Sequence, residues 1–367
     1  MTPYLNVPFL PDPSYIDVLL QCEDELDCLQ FPIPSASGGD YRSRRNASTD
    51  ELNLLAGLER LPGPKKYALL NDRFHDPALL TTPGRLAPLI AFLGEALEHE
   101  VVDGLIYADH YLLHRIADQA PEIATRLEAV PSVDLMLDSQ LKIELQIDAI
   151  AQTGFQAPEK ITLDRSLNRD LDTMATLAME LHQLFPGMRI EALANEGCLP
   201  FCPFKPAHDA YAALDRIEGD NRLPALNRDL GCRRILAKQP YRILQSPFIR
   251  PEDVDLYLYH IDTIKLCSHT QNTGFLIRAM SAYRNRRYDG NLLDLLDNME
   301  WMTRWLYVDN TQLSFDFANI LSQCDKRCDR CGFCAELLGS IARRRPPAPS
   351  LPENHRLPVV DSSSRQG

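Results

Sequence analysis

Four cysteines fall within eleven residues, as Cys324-x3-Cys328-x2-Cys331-x2-Cys334. Four thiolates this close can wrap one metal centre. Soft sulfur ligands select iron–sulfur or zinc over hard ions. Zinc sites usually separate two cysteine pairs by a dozen residues or more, so the compact run favours a 4Fe–4S cluster, with zinc as the alternative. A second, discontinuous set is Cys198 and Cys202 in Asn-Glu-Gly-Cys-Leu-Pro-Phe-Cys-Pro-Phe, Cys232 in Gly-Cys-Arg-Arg, and Cys267 in Ile-Lys-Leu-Cys-Ser-His. A lone buried cysteine is ordinary core material. Four converging on one rim would point to a second iron–sulfur cluster, with Cys267 its least secure ligand. Cys22 and Cys28 read as free thiols.

Positioning these groups requires elements that end at a common face. Strand-like runs over 4–9, 26–31, 66–71, 103–108, 133–137, 160–163, 189–194 and 263–267 alternate with helical patterns over 14–25, 85–99, 111–120, 141–154, 170–185 and 273–286. Strand–helix alternation implies parallel strands with right-handed crossovers. Eight strands predict an α/β fold, a (β/α)8 barrel over 1–287, with an insertion at about 203–240. A cysteine-rich segment over 288–340 and a Pro-, Ser- and Arg-rich tail over 341–367, expected to be disordered, follow. No Gly-x-Gly-x-x-Gly follows a strand, which argues against a dinucleotide-binding sheet.

Barrel enzymes place their chemistry at the C-terminal strand ends. Polar residues there are Asn71 and Asp72, Asp109 and His110, Asp138, Asp164, Asn195 and Glu196, and His269. Glu196, Asp72, Asp164 and His269 are the acid–base candidates. Asn71 and Asn195, with Arg42 from the loop Gly-Gly-Asp-Tyr-Arg-Ser-Arg-Arg, are the candidate substrate contacts, since Arg holds anions bidentately. Single Asp and Asn residues at such places also serve as helix caps. Trp301 and Trp305 read as packing for the C-terminal segment.

The 367 residues carry 38 Lys+Arg against 51 Asp+Glu, a net charge of −13. An acidic surface argues against nucleic acid as a partner, because phosphate binding needs dense cations. No run approaches the ~20 apolar residues of a membrane span. The first residues show no secretory signal pattern, so the expected compartment is the cytoplasm. Reduced thiols fit that setting.

The segments 195–204, Ser-Pro-Phe-Ile-Arg-Pro-Glu-Asp (246–253), Ile-Asp-Thr-Ile-Lys-Leu (261–266), Tyr-Asp-Gly-Asn-Leu-Leu-Asp-Leu-Leu (288–296) and Asp-His-Tyr-Leu-Leu (109–113) resemble the collagenase-like peptidase family over roughly residues 1–335. The resemblance implies a β/α barrel and makes Cys198, Cys202 and Cys232 match family cluster ligands. Here Ser268-His269 stands where many relatives carry Gly-Arg. Relatives of this family carry 4Fe–4S clusters and take part in oxygen-independent hydroxylation of ubiquinone precursors or RNA. Neither His-Glu-x-x-His nor Gly-x-Ser-x-Gly occurs. The expectation is therefore an iron–sulfur enzyme or enzyme subunit performing oxygen-independent hydroxylation of a small organic substrate, with a homologous subunit or an electron donor as partner. An RNA-hydroxylating member and a non-catalytic iron–sulfur assembly protein are the alternatives, ahead of a protease.

Overall fold

The computed structural model describes residues 4–33, 51–268, 272–328 and 330–345. Eight parallel strands stand in the order β5-β4-β3-β2-β1-β8-β7-β6. They are β1 (Leu5–Pro8), β2 (Leu26–Pro32), β3 (Lys65–Leu70), β4 (Gly104–Tyr107), β5 (Glu128–Pro131), β6 (Lys160–Thr162), β7 (Arg189–Leu193) and β8 (Thr263–Lys265). β1 pairs with both β2 and β8, as a closing sheet requires. Between β5 and β6 only an isolated parallel bridge, Glu128 to Gln156, stands. The result is a nearly closed (β/α)8 barrel, as the alternation predicts. The strands are buried almost throughout, because helices cover one face and barrel side chains fill the other.

One strand is not where the sequence pattern puts it. The apolar run 133–137 is not β5. Pro131 ends the strand, the Ser132 Oγ accepts from Asp134 N at 3.2 Å, and Val133–Leu135 closes as a 3-10 turn. Burial makes a short apolar run look like a strand whatever its backbone does. This turn aims Asp134 over the barrel mouth.

The insertion is helical, from Lys205–Glu218 through Leu223–Asp229 and Cys232–Lys238 to Arg242–Gln245. Gly219 ends the first of these helices at φ 76°, a left-handed conformation that glycine adopts without cost. Leu199, Leu236, Ile243, Leu244 and Phe248 form one apolar core with Leu292, Leu296, Met302, Phe317, Leu338 and Ile341. The insertion and the C-terminal segment therefore stabilise each other above the barrel. Within the segment expected to be a disordered tail, Ala342–Arg344 instead pairs antiparallel with Leu306–Val308, and residues 346–367 lie outside the described residues. No helix among the described residues is long and apolar enough to cross a membrane.

Candidate functional site

Over the mouth, carboxylates and cations alternate in a buried row. Arg165, just past β6, reaches Glu196 past β7 at 2.8 Å and Asp134 at 3.0 Å. Lys205, opening the insertion, reaches the same Asp134 oxygen at 2.7 Å and Asp209 at 2.6 Å. Burial opposes the Lys205 charge, but Asp134 and Asp209 outweigh it and hold the ammonium above its ordinary range. Burial, then the Asp134 charge, pushes the Asp209 carboxyl up to about 6. Its Oδ2 is buried with no hydrogen-bond partner. Asp72 joins this layer by an ion pair with Arg216, and Arg73 donates to the Asp134 carbonyl at 2.8 Å.

The row opens into a cavity of about 430 Å³, lined by Glu196, Lys205, Arg216, Arg233 and Trp301 and by three cysteines, Cys198, Cys202 and Cys232. Burial raises the pKa of all three thiols. The fourth expected ligand is not brought to this cavity. Cys267 is buried against Val133 and Leu193, with its Sγ 3.8 Å from Asp297 Oδ2. Asp297 instead clamps two strand ends: it accepts from Ser268 Oγ at 2.8 Å, and its own N–H donates to the Asn195 carbonyl at 2.8 Å. Ser268 holds φ 122°, a region that favours glycine.

A second cavity, about 480 Å³, gathers Cys324, Cys328, Cys331 and Cys334 with Phe201, Tyr241 and Arg242. Burial, then the neighbouring Cys328, pushes the Cys334 thiol up to about 11. The loop after β7 separates the two spaces: Leu199 and Cys202 line the first, Pro200 and Phe201 the second.

Of the other residues singled out above, several hold structure. Asp164 is an N-cap, accepting from Ser166 N at 2.9 Å. Asn195 is a brace: its amide donates to the carbonyls of Cys267 (3.1 Å) and Leu295 (3.3 Å) and accepts from Cys267 N at 2.7 Å. Both of its amide hydrogens are spent on these carbonyls. Asp138 pairs with Lys142 on the surface. Asn71 keeps a buried Oδ1 with no hydrogen-bond partner. His269 and Arg42 lie outside the described residues. The pattern missed Asp134, Arg165 and Lys205, which meet across 31 and 71 residues, and Asp209, which pairs with Lys205 one helical turn away. It also missed His75, whose backbone N–H donates to Asp109 Oδ2 at 3.1 Å and whose Nδ1 lies 3.0 Å from the same oxygen. Inside the barrel, ligand atoms of Asp27, Cys28 and Glu191 converge within 4.8 Å of one another. The Lys160 ammonium, donating to Cys28 and Glu191, already supplies the cation there.

No family model matches the chain. A protein of Methanocaldococcus jannaschii, named as an uncharacterized protease, is 30% identical over 214 residues. The match covers 56% of this chain and 62% of that protein, so the chain matches under two thirds of the relative's length. Among solved structures, a U32 peptidase aligns with TM-score 0.45 at 16% identity, over 72% of this chain and 93% of that one. An α-amylase of Geobacillus thermoleovorans aligns with TM-score 0.38 at 9% identity, over 73% and 71%. The protease name of the sequence relative corrects the expectation of oxygen-independent hydroxylation.

Proposed function

We propose that this chain is an enzyme of the collagenase-like peptidase family and hydrolyses amide bonds of peptides bound in the barrel-mouth cavity. One observation carries the reading. The row Glu196–Arg165–Asp134–Lys205–Asp209 presents a carboxylate and an ammonium, Glu196 and Lys205, to one cavity. Amide hydrolysis needs a base to take the proton of attacking water and a cation for the charge that forms on the carbonyl oxygen. Arg165 orients Glu196 for the first task. Lys205 faces the developing oxyanion, and the proton held by Glu196 goes to the leaving amine as the tetrahedral adduct collapses. Asp134 and Asp209 position Lys205. The sequence relative named as a protease supports the family assignment.

The same reading gives the cysteines a cofactor. Three thiols on one cavity and four on the other are soft donors with room between them, which fits a 4Fe–4S cluster at each, or zinc at the second. When bound, such a centre supplies a cross-link; at the first cavity it would tie the loop after β7 to the Cys232–Lys238 helix.

The test is a mixed peptide library and gelatin, incubated with the full chain and analysed by mass spectrometry. Cleavage that Glu196→Gln abolishes supports the reading. No cleavage, or cleavage untouched by both Glu196→Gln and Lys205→Met, overturns it.

A further inference from the structure

The barrel-mouth cavity holds a second pair of groups that the row above does not use. The Arg233 guanidinium lies over the Trp301 ring, 4.9 Å from its centroid, and both side chains line the cavity. Arg233 Nε and Trp301 Nε1 are each buried with no hydrogen-bond partner. Two orphaned donors in one place are costly, since buried N–H groups are normally paired. The cation–π contact holds the guanidinium over the indole face, and the guanidinium carries its N–H donors as a planar fork. The ligand that matches such a fork is a planar carboxylate, held by two parallel charge-assisted bonds. Indole offers one further donor to the same anion.

We propose that Arg233 and Trp301 form a carboxylate subsite, so that the peptide held in this cavity presents a free carboxylate, either at its C-terminus or on an Asp or Glu side chain. The identity of the ligand as a peptide rests on the hydrolase reading; the carboxylate subsite itself does not.

The chain has two tryptophans, so Trp305→Phe leaves Trp301 as its sole indole reporter. In that background, three probes are titrated against Trp301 emission: acetyl-trialanine as the free acid, the same peptide as its C-terminal amide, and an amidated peptide with a central Glu. The expected result is a saturable change with the free acid or the Glu peptide, and binding of the plain amide weaker by about tenfold or more, equivalent to ~1.4 kcal/mol. The two carboxylate probes separate a terminal from a side-chain source. Arg233→Gln should weaken carboxylate binding to the level of the amide. Arg233→Lys, which keeps the charge and loses the fork, should fall between. Arg228→Gln, an exposed change elsewhere in the insertion, should leave binding unchanged. Equal response to all three probes, or parental binding in both Arg233 variants, overturns the subsite. If Arg233→Gln fails to fold by circular dichroism, Arg233→Lys decides. Because emission is read without turnover, carboxylate binding without cleavage overturns only the hydrolase reading. Cleavage that treats acid and amide alike, with no response from Trp301, overturns only the subsite.

Discussion

The two cysteine-lined cavities are built in opposite ways. The second takes its four cysteines from one run, three between the Phe317–Ser322 and Phe333–Ile341 helices and Cys334 in the first turn of the latter. Its other walls include Phe201, Tyr241, Ile320 and Leu321. The first collects two cysteines from the loop after β7 and one from the distant Cys232–Lys238 helix, and adds Glu196, Lys205, Arg216 and Arg233 from the barrel rim and the insertion. A local run can hold an ion by itself. A cavity that joins thiols to paired charges at the strand ends can also hold and polarise a substrate. Under the proposed function, the second cavity has a holding task and the first the chemistry.

The sharpest break between them is catalytic. Glu196→Gln should lower peptide cleavage by at least ~10²-fold, the usual scale for losing a proton-transfer group, while Cys328→Ala leaves the rate within about twofold of the parent by the same measure. Equal losses in the two variants would mean that the cavities act as one site.

Cofactor loading should separate them next. Under anaerobic purification the proposed pair of clusters gives about eight irons per chain. Cys198→Ala and Cys328→Ala should each remove roughly half, leaving the other centre intact. About one zinc and no iron, lost only in Cys328→Ala, would confine metal to the second cavity.

A pH effect should follow from Asp209, in the first cavity's charged row. Its carboxyl is raised to about 6 in the folded chain, against about 3.9 when unfolded. The folded state therefore binds the proton more tightly, and stability falls as pH rises from about 4 to about 6, by up to ~3 kcal/mol. Urea titrations at pH 4 and pH 7 should show that loss in the parent and less of it in Asp209→Asn.

The smallest expected effect tests the dividing loop. Phe201 is exposed and lines only the second cavity. Phe201→Ala should change stability by under ~0.5 kcal/mol, as surface substitutions do, and leave cleavage unchanged. A clear loss of cleavage would show that the wall transmits between the cavities.

Much of this was legible in the chain. Strand–helix alternation forces parallel crossovers, so the barrel follows from patterning. Eleven residues hold the second cysteine set, so its convergence needs no knowledge of the fold. Glu196 was recognisable as a polar residue directly after a strand. The failures share a cause: side chains that pattern alike serve different ends. Asp164 and Asn195 sit at strand ends as Glu196 does, yet one caps a turn and the other spends its amide on the backbone of the neighbouring strand's end. Cys267 shares the rim with Cys198 but faces Val133, Leu193 and Asp297.

The sequence by itself determined the barrel, the helical covering and the local cysteine run, because periodicity and short loops act within a few tens of residues. Only the tertiary structure decided the rest. Lys205 meets Asp134 across 71 residues, and Arg165 meets Glu196 across the mouth. Arg233 stacks on Trp301 because the insertion and the C-terminal segment share one core. Buried charges must find partners wherever the fold supplies them, and for pairs this far apart no spacing along the chain encodes which partner that will be.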